Sequence, residues 1–508
     1  MRIIYGDTTG YLTGRQRGGS QTLTGDSTDD FTFYGDARGI TDRARGGGDH
    51  LSGLVSVNNT FYGDAYVMSR SALGGNDVLS LLAPEPGSET RYDGVQVFYG
   101  DAYRMSGSAV GGRDSFDNRG DYRAQATFYG DAYAMTGKAR GGSDTYTTQD
   151  GSGTIFGDAY AMDRETKGGN DRITGGAGSS TSVIYGDAYR LSDDARGGDD
   201  ILTLNGPGVI YGDARFMREN ARGGDDTIRS TYFRLVEPLA GDALTMTGRT
   251  RGGNDTFSDI NGGQVVLYGD AKTMKDYARG GNDVFTLGGA FGQTVYGDGE
   301  IMSQNTRGGN DRFYADRAQE NTLYGDADTM SGKARGGNDH IAGGDLLNTL
   351  HGDARTMGGS TLGGNDKLLA GSVALDLEGN VDIKAQDKLY GDAYEMSGKA
   401  RGGNDRLIAG TDAADMWGDA AIMGASAVGG SDTFVFSGGF GDTRIHDFEK
   451  GKDHLEVNID PNVARNGQVS WEKVGSDTIV TVDGPVSNGE IVLVGFTGRL
   501  STSDFYFV

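Results

Sequence analysis

Cysteine is absent from the 508-residue sequence, and proline and tryptophan are scarce, with 6 and 2 residues. The lack of cysteine excludes disulfide bonds and thiolate metal sites. No apolar run approaches the ~18–20 residues that a membrane-spanning helix requires. The first residues, Met1 to Asp7, contain no apolar segment of the kind found in secretory signals. We therefore expect no membrane span, and we expect any export signal to lie elsewhere in the chain.

Glycine and negative charge are abundant by contrast. Gly accounts for 90 residues without a Gly-X-Y period, which excludes collagen. The hydrophobic content of 36% is low for a thick globular core but sufficient for a thin core built by stacking. The formal charge of −25 argues against nucleic acid as a partner, because such binding needs a basic surface. The acidic residues therefore form either a solubilising surface or a set of metal ligands.

An internal repeat organises most of the chain. A Gly-Asp pair recurs fifteen times, and its first Asp residues are Asp7, Asp36, Asp64, Asp101, Asp131, Asp158, Asp187, Asp213, Asp242, Asp270, Asp298, Asp326, Asp353, Asp392 and Asp419. In fourteen repeats a second Asp follows thirteen residues later, at Asp49, Asp77, Asp114, Asp144, Asp171, Asp200, Asp226, Asp255, Asp283, Asp311, Asp339, Asp366, Asp405 and Asp432. The next first Asp then follows each second Asp at a spacing of 13 to 26 positions. Such periodicity indicates a solenoid.

Each repeat is predicted to contain two short strands and a short helical turn. Alternating residues that lead into Tyr390-Gly391-Asp392 and that follow Asp405 indicate the strands. Small or apolar residues recur one, four and eight positions after the first Asp, which is the spacing of one helix face. In that helix the first Asp is a candidate N-cap, Gly402 a left-handed C-terminal residue, and Arg401 a cation that suits the helix dipole. Arg401 has equivalents at Arg45, Arg140, Arg196 and Arg335.

The predicted fold is therefore a parallel β-solenoid of about fifteen coils of about 28 residues over residues 1–436, followed by a small β-rich cap over residues 437–508. The Met found four residues after most first Asp residues is expected to form a core ladder between coils. The Tyr that precedes most Gly-Asp pairs is expected to form a stacked aromatic ladder rather than a recognition site.

The two Asp positions are candidate calcium sites. Stacking places the first Asp residues from Asp36 onward in one row and the second Asp residues in another, and we expect these rows at opposite edges. Carboxylates of one sign about 5 Å apart repel strongly unless a cation lies between them. Calcium takes six to eight oxygen ligands from carboxylates and carbonyls. For the first row the helix N-cap remains an alternative. One calcium ion for each of the fourteen complete repeats would add +28 to the formal charge of −25.

These motifs resemble those of RTX proteins. Gly-Gly-Asn-Asp-x-apolar occurs at residues 74–79, 252–257, 336–341 and 402–407 and is similar to half of the glycine-rich RTX nonapeptide. Residues 432–436 and 445–453 resemble the segment that closes many RTX proteins, and residues 500–508 resemble their uncleaved type I secretion signal. The chain departs from the family where about nine residues separate the two halves of the motif. The resemblance implies export by type I secretion machinery and folding on extracellular calcium.

The expected function is structural rather than enzymatic. The repeats begin near residue 5, and the five His residues form no HExxH motif. We expect a secreted or cell-surface protein that binds calcium and associates with further copies into a coat, surface layer or matrix filament. The segment from Met1 to Ile4 enters the first strand directly and is expected to offer an open coil edge for this association. An adhesin that binds glycan or another surface is the alternative, and a solenoid-groove polysaccharide-active enzyme is a third.

Overall fold

The computed structural model describes residues 1–82, 94–118, 126–148, 153–176, 181–231, 238–260, 265–288, 292–315, 320–371, 386–459 and 468–508. The chain divides into an amino-terminal unit, Met1–Ser258, and a carboxyl-terminal unit, Asp259–Val508. Each unit is a parallel β-solenoid in which every coil contributes one strand to each of three stacks. This confirms the predicted fold class. No helix in the described part of the chain has the length and hydropathy needed to cross a bilayer.

In the amino-terminal unit the stacks contain nine strands each. Sheet 1 contains Arg2–Tyr5, Phe31–Tyr34, Asn59–Tyr62, Gln96–Tyr99, Ala126–Tyr129, Gly153–Phe156, Ser182–Tyr185, Gly208–Tyr211 and Leu239–Ala240. Sheet 2 contains Thr8–Leu12, Ala37–Ile40, Ala65–Met68, Ala102–Met105, Ala132–Met135, Ala159–Met162, Ala188–Leu191, Ala214–Met217 and Ala243–Met246. Sheet 3 contains Thr22–Gly25, His50–Leu54, Val78–Leu82, Ser115–Asn118, Thr145–Thr148, Arg172–Gly175, Ile201–Leu204, Thr227–Ser230 and Thr256–Ile260.

The carboxyl-terminal unit has the same three stacks. Its sheet 1 contains Val266–Tyr268, Gln293–Tyr296, Glu320–Tyr324, Leu347–His351, Gln386–Tyr390, Ala413–Trp417 and Thr443–Ile445. Its sheet 2 contains Ala271–Met274, Gly299–Met302, Ala327–Met330, Ala354–Met357, Ala393–Met396 and Ala420–Met423. Its sheet 3 contains Val284–Leu287, Arg312–Tyr314, His340–Ala342, Lys367–Leu369, Arg406–Ile408, Thr433–Phe436, His454–Val457 and Phe505–Phe507. Three antiparallel strands, Val469–Val474, Asp477–Asp483 and Asn488–Leu493, pair in sequence, and the last also joins Thr443–Ile445.

The predicted helical turn between the two Asp residues is wrong. All fourteen complete repeats are described there, and each forms a four-residue strand, a tight turn and a one-residue parallel bridge. Ala102, Arg104 and Met105 pair with residues of the next coil, whereas Tyr103 has no register partner. This irregularity lets Ala102 and Met105 both face the core. An irregular strand of this kind, followed by a turn, therefore buries the residues one, four and eight positions after the first Asp, as a helix would.

In thirteen of the fourteen complete repeats, the residue six positions after the first Asp is left-handed. Gly398 occupies this position with φ of 65°, and Gln304 does so with φ of 69°. Gly402, which was predicted to be left-handed, instead lies against the carboxyl group of Asp392, and a Cβ there would overlap it. Arg401 forms the parallel bridge between neighbouring coils and caps no helix.

The core consists of side-chain ladders that run from coil to coil. Buried Met residues at the fourth position of sheet 2 pair directly, as Met105 with Met135, which confirms the predicted Met ladder. The predicted aromatic ladder is also confirmed, because Tyr62, Tyr99 and Tyr129 stack with centroids 4.9 and 5.0 Å apart. Each stacked pair contributes about 0.5–1.5 kcal/mol beyond its buried area. These ladders hold the coils in register and thereby align the Asp residues.

Candidate calcium-binding Asp rows

The structure aligns the predicted Asp residues into two rows in each unit. The first Asp lies at the corner between sheet 1 and sheet 2, and the second lies directly before the sheet 3 strand. Every one of the twenty-eight predicted site residues, from Asp36 to Asp432, is buried, and Asp419 is the most exposed at 6%. Burial of so many carboxyl groups excludes the reading of these Asp residues as a solubilising surface.

The two rows lie side by side rather than at opposite edges. In one coil, the backbone N–H of Gly198 donates to Oδ1 of Asp187 at 2.8 Å, which ties the turn before Asp200 to the first Asp. A Cβ at Gly186, beside Asp187, would overlap both the Oδ2 atom of Asp200 and the carbonyl oxygen of Gly212. The expectation of two separate edges is therefore wrong. Both carboxyl groups of a coil face one narrow, oxygen-lined interior.

The first row is held by backbone donors and not by helix capping. Oδ1 of Asp158 accepts from Gly169, and Oδ1 of Asp213 accepts from Gly224, each at 2.8 Å. The Gly donor lies eleven residues after its Asp, so the contact closes the whole turn. The N-cap alternative is wrong because no helix begins at the first Asp. The remaining oxygen, Oδ2, is buried without a hydrogen-bond partner at Asp131, Asp158, Asp187, Asp213, Asp326, Asp353 and Asp392.

The second row is a chain of contacts from each carboxyl group to the preceding coil. The N–H of Asp171 donates to Oδ1 of Asp200 at 2.6 Å, and the N–H of Asp200 donates to Oδ1 of Asp226 at 2.7 Å. In most residues of this row, too, the second carboxyl oxygen has no hydrogen-bond partner. Oδ2 is buried without a hydrogen-bond partner at Asp49, Asp77, Asp114, Asp144, Asp171, Asp200, Asp226, Asp311, Asp339, Asp366, Asp405 and Asp432.

The electrostatics of the rows oppose ionisation. Burial raises the pKa of the Asp187 carboxyl group well above its usual range, and the charges of Asp200, Asp158 and Asp213 raise it further. Burial followed by the charge of Asp226 raises the pKa of Asp200 in the same way. Oδ2 of Asp158 and Oδ1 of Asp187 converge beside Gly168, where the two carboxyl groups could share a proton. Two such groups need a shared proton or a cation between them.

The oxygen donors suit a hard divalent cation. Carboxylates and backbone carbonyls are the ligands that calcium takes, and the glycines let both approach one point. Among the described residues, no three His, Cys, Asp or Glu side chains converge as a metal cluster. An ion would therefore draw on the two carboxyl groups together with backbone carbonyls such as that of Gly212. The orphaned Oδ2 atoms are the groups that would gain from it.

In the carboxyl-terminal unit, two Asp residues outside the predicted set continue the Asp rows, and a Lys residue lies beside them. Asp447 accepts from the N–H groups of Gly418 and Asp419 at 2.8 and 3.0 Å, and Asp453 accepts from that of Asp432 at 3.0 Å. The ammonium group of Lys452 lies 3.7 Å from Oδ2 of Asp419. That Oδ2 atom thus has a cationic neighbour in the chain itself. Asp447 lies 28 residues after Asp419, so the repeat interval could have identified it, although His446 replaces the usual Gly.

No protein-family model matches the chain, and no curated protein sequence matches it either.

Proposed function

We propose that this chain is a secreted calcium-binding structural protein that folds on extracellular calcium and builds a coat, surface layer or matrix filament. The observation that supports it is the pair of Asp rows, in which each coil buries two carboxyl groups and leaves an oxygen on most of them without a donor. Burying an unpaired carboxylate costs several kcal/mol. A domain is stable by only about 5–15 kcal/mol in total. Ionised rows therefore need neutralising partners.

Export and assembly are inferred from the sequence motifs and from the repeat architecture. The export route follows from the resemblance of residues 432–436, 445–453 and 500–508 to the end of RTX proteins. Assembly follows from the repeat architecture and from the absence of any recognisable catalytic motif in the sequence. The two Asp rows provide the physical link, because a chain that needs calcium stays unfolded where calcium is scarce and folds where it is plentiful.

The decisive experiment compares two Asp→Asn substitutions in one coil. Asp200→Asn removes a buried row charge, while Asp199→Asn removes an exposed neighbouring charge. Each Asn side chain keeps an oxygen that can accept the backbone hydrogen bond accepted by the Asp it replaces. We expect Asp200→Asn to reduce the number of bound calcium ions in equilibrium dialysis and to raise the calcium concentration at the folding midpoint in circular dichroism. Asp199→Asn should leave both unchanged.

A wild-type value for Asp200→Asn in both measurements would refute calcium binding by the second row. Asp187→Asn then tests the first row in the same coil. If both rows hold the ion, as the shared interior suggests, Asp187→Asn and Asp200→Asn should lose equal amounts of bound calcium. Loss at Asp200 alone would assign the first row to the turn hydrogen bond with Gly198.

A further inference from the structure

A row of exposed cations runs along the amino-terminal unit. It lies nine residues after the first Asp of five successive coils, and we call it the basic ladder: Arg140, Lys167, Arg196, Arg222 and Arg251. Each member forms a parallel backbone bridge with the next. The coil repeat that separates them is about 5 Å, as shown by the neighbouring Tyr133 and Tyr160 rings, whose centroids are 5.0 Å apart.

The charges of the basic ladder are not neutralised by the protein. Within the described residues, none of the five side chains makes an ion pair or a hydrogen bond. The adjacent row, two residues earlier in each coil, consists of Lys138, Glu165, Asp194, Asn220 and Arg249. That row carries two cations and two anions, and Lys138 and Glu165 pair with each other at 3.1 Å. The two rows together therefore carry a net positive charge, and the exposed carboxylates of Asp199 and Asp225 lie three residues after Arg196 and Arg222.

The fold does not require cations at this position. The helix dipole that would have explained them does not exist, because the segment is a backbone bridge. Leu73 and Val110 occupy the same bridge position in two other coils and form it equally well. Like charges one coil apart repel, so their repetition in five coils costs stability. A function outside the packing of the solenoid explains the ladder better.

We propose that the basic ladder binds an acidic polysaccharide with one carboxylate or sulfate group on each sugar. An extended chain of this kind presents negative charges at a spacing comparable to the coil repeat, so successive guanidinium and ammonium groups can each engage one anion. Binding at a line of cations releases counterions from both partners. The proposal adds a ligand to the proposed calcium-dependent structural protein and does not depend on which residues hold calcium.

Other linear or acidic partners fit this surface less well. The groove between Arg140, Lys167 and Arg196 is lined by charged side chains and Thr166 and contains no apolar residue. Protein interfaces are usually anchored by buried aromatic or aliphatic side chains, which are missing here. Single-stranded nucleic acid needs aromatic platforms for its bases, and a protein of net charge −25 repels it.

The test measures binding of short polygalacturonate oligomers to the full chain in calcium, with neutral galactan oligomers of equal length as the ligand control. The loss variant carries Lys167→Gln, Arg196→Gln and Arg222→Gln. The matched control carries Arg38→Gln, Arg43→Gln and Arg104→Gln, which remove the same charge from exposed positions of the same unit. We expect the ladder variant to weaken binding at least tenfold and the control to change it less than twofold. Binding to the neutral oligomers should be absent.

A gain variant keeps the test decisive if the loss variant folds poorly. Leu73→Arg with Val110→Arg joins Arg45 to Arg140 and extends the ladder, so affinity should rise severalfold. Equal binding by wild type, loss variant and gain variant would overturn the proposal, because calcium bridging between two acidic surfaces would then explain any affinity. Equally tight binding of polyglutamate or single-stranded DNA to the ladder would also overturn it, since the surface would then recognise charge without regard to a sugar chain.

Discussion

At the scale of single residues, a repeat position accepts a different side chain only if that side chain fits the ladder formed by the equivalent residues of the neighbouring coils. His351 takes the place of Tyr in the aromatic ladder and stacks between Tyr324 and Tyr390 at 4.7 Å on each side. It is almost completely buried, and its Nδ1 atom has no hydrogen-bond partner. Burial lowers the pKa of His351 to about 3. The ladder therefore accepts the ring but not the imidazolium charge.

We expect His351→Tyr to make the carboxyl-terminal unit less sensitive to acid. The folded pKa of His351 lies below the unfolded value of about 6.5, so its contribution to stability is lost as the pH falls below 6.5. At pH 5 that loss is roughly 2 kcal/mol. Relative to its value at pH 7.5, the thermal stability at pH 5 should be higher for His351→Tyr than for wild type, because the Asp rows shift both proteins equally. The exposed His50→Tyr serves as the control, and a pH dependence of His351→Tyr equal to that of wild type would contradict the burial argument.

At the scale of the repeat element, the sequence was sufficient to predict the Asp rows, the core ladders and the solenoid. These features depend on the interval between repeats, which is visible in the residues themselves. The helical turn could not be excluded in the same way, because the spacing of Ala102, Met105 and Ala109 fits either a helix or a kinked strand followed by a left-handed turn. Contacts between coils select the strand, since they satisfy its backbone in neighbouring coils. The side-by-side placement of the two Asp rows also depends on contacts between coils, which the sequence pattern does not reveal.

The left-handed turn makes a prediction that separates the strand from the helix. Gln304 and Gly332 occupy equivalent turn positions with φ of 69° and 73°. Gln304→Gly should stabilise the protein by about 1 kcal/mol, because glycine adopts this conformation without steric cost. Gly332→Ala should destabilise it by more, because the new Cβ would lie 2.8 Å from the backbone nitrogen of Gln304. Thermal unfolding in calcium measures both, and opposite signs to these would contradict the turn.

At the scale of the whole molecule, the Asp rows couple folding to whatever neutralises them. Burial raises the pKa of Asp36 to about 7 and that of Asp49 to about 6, and it raises the pKa values of Asp187 and Asp200 well above their usual range. Protons and calcium are therefore competitors for the same carboxyl groups. A chain of formal charge −25 becomes less acidic in either case. Protons and calcium differ in the solution conditions under which each binds the Asp rows.

The competition predicts that acid replaces calcium. Because these carboxyl groups have higher pKa values when folded than the usual 3.9 when unfolded, the folded chain binds more protons, and its stability rises as the pH falls from 8 towards 5. In chelator we therefore expect circular dichroism to show little β-structure at pH 8 and increasing β-structure towards pH 5. In calcium the β-structure should be present at pH 8.

Proton release provides the matching measurement. Adding calcium to the acid-folded chain near pH 6 should release protons in an unbuffered titration, because the ion displaces them from the Asp rows. Asp200→Asn should release fewer protons than wild type, whereas Asp199→Asn, which lies at an exposed position, should release as many. Full β-structure in chelator at pH 8, with no proton release on adding calcium, would mean that the rows are stable without either partner. The calcium proposal would then have lost the electrostatic argument on which it depends.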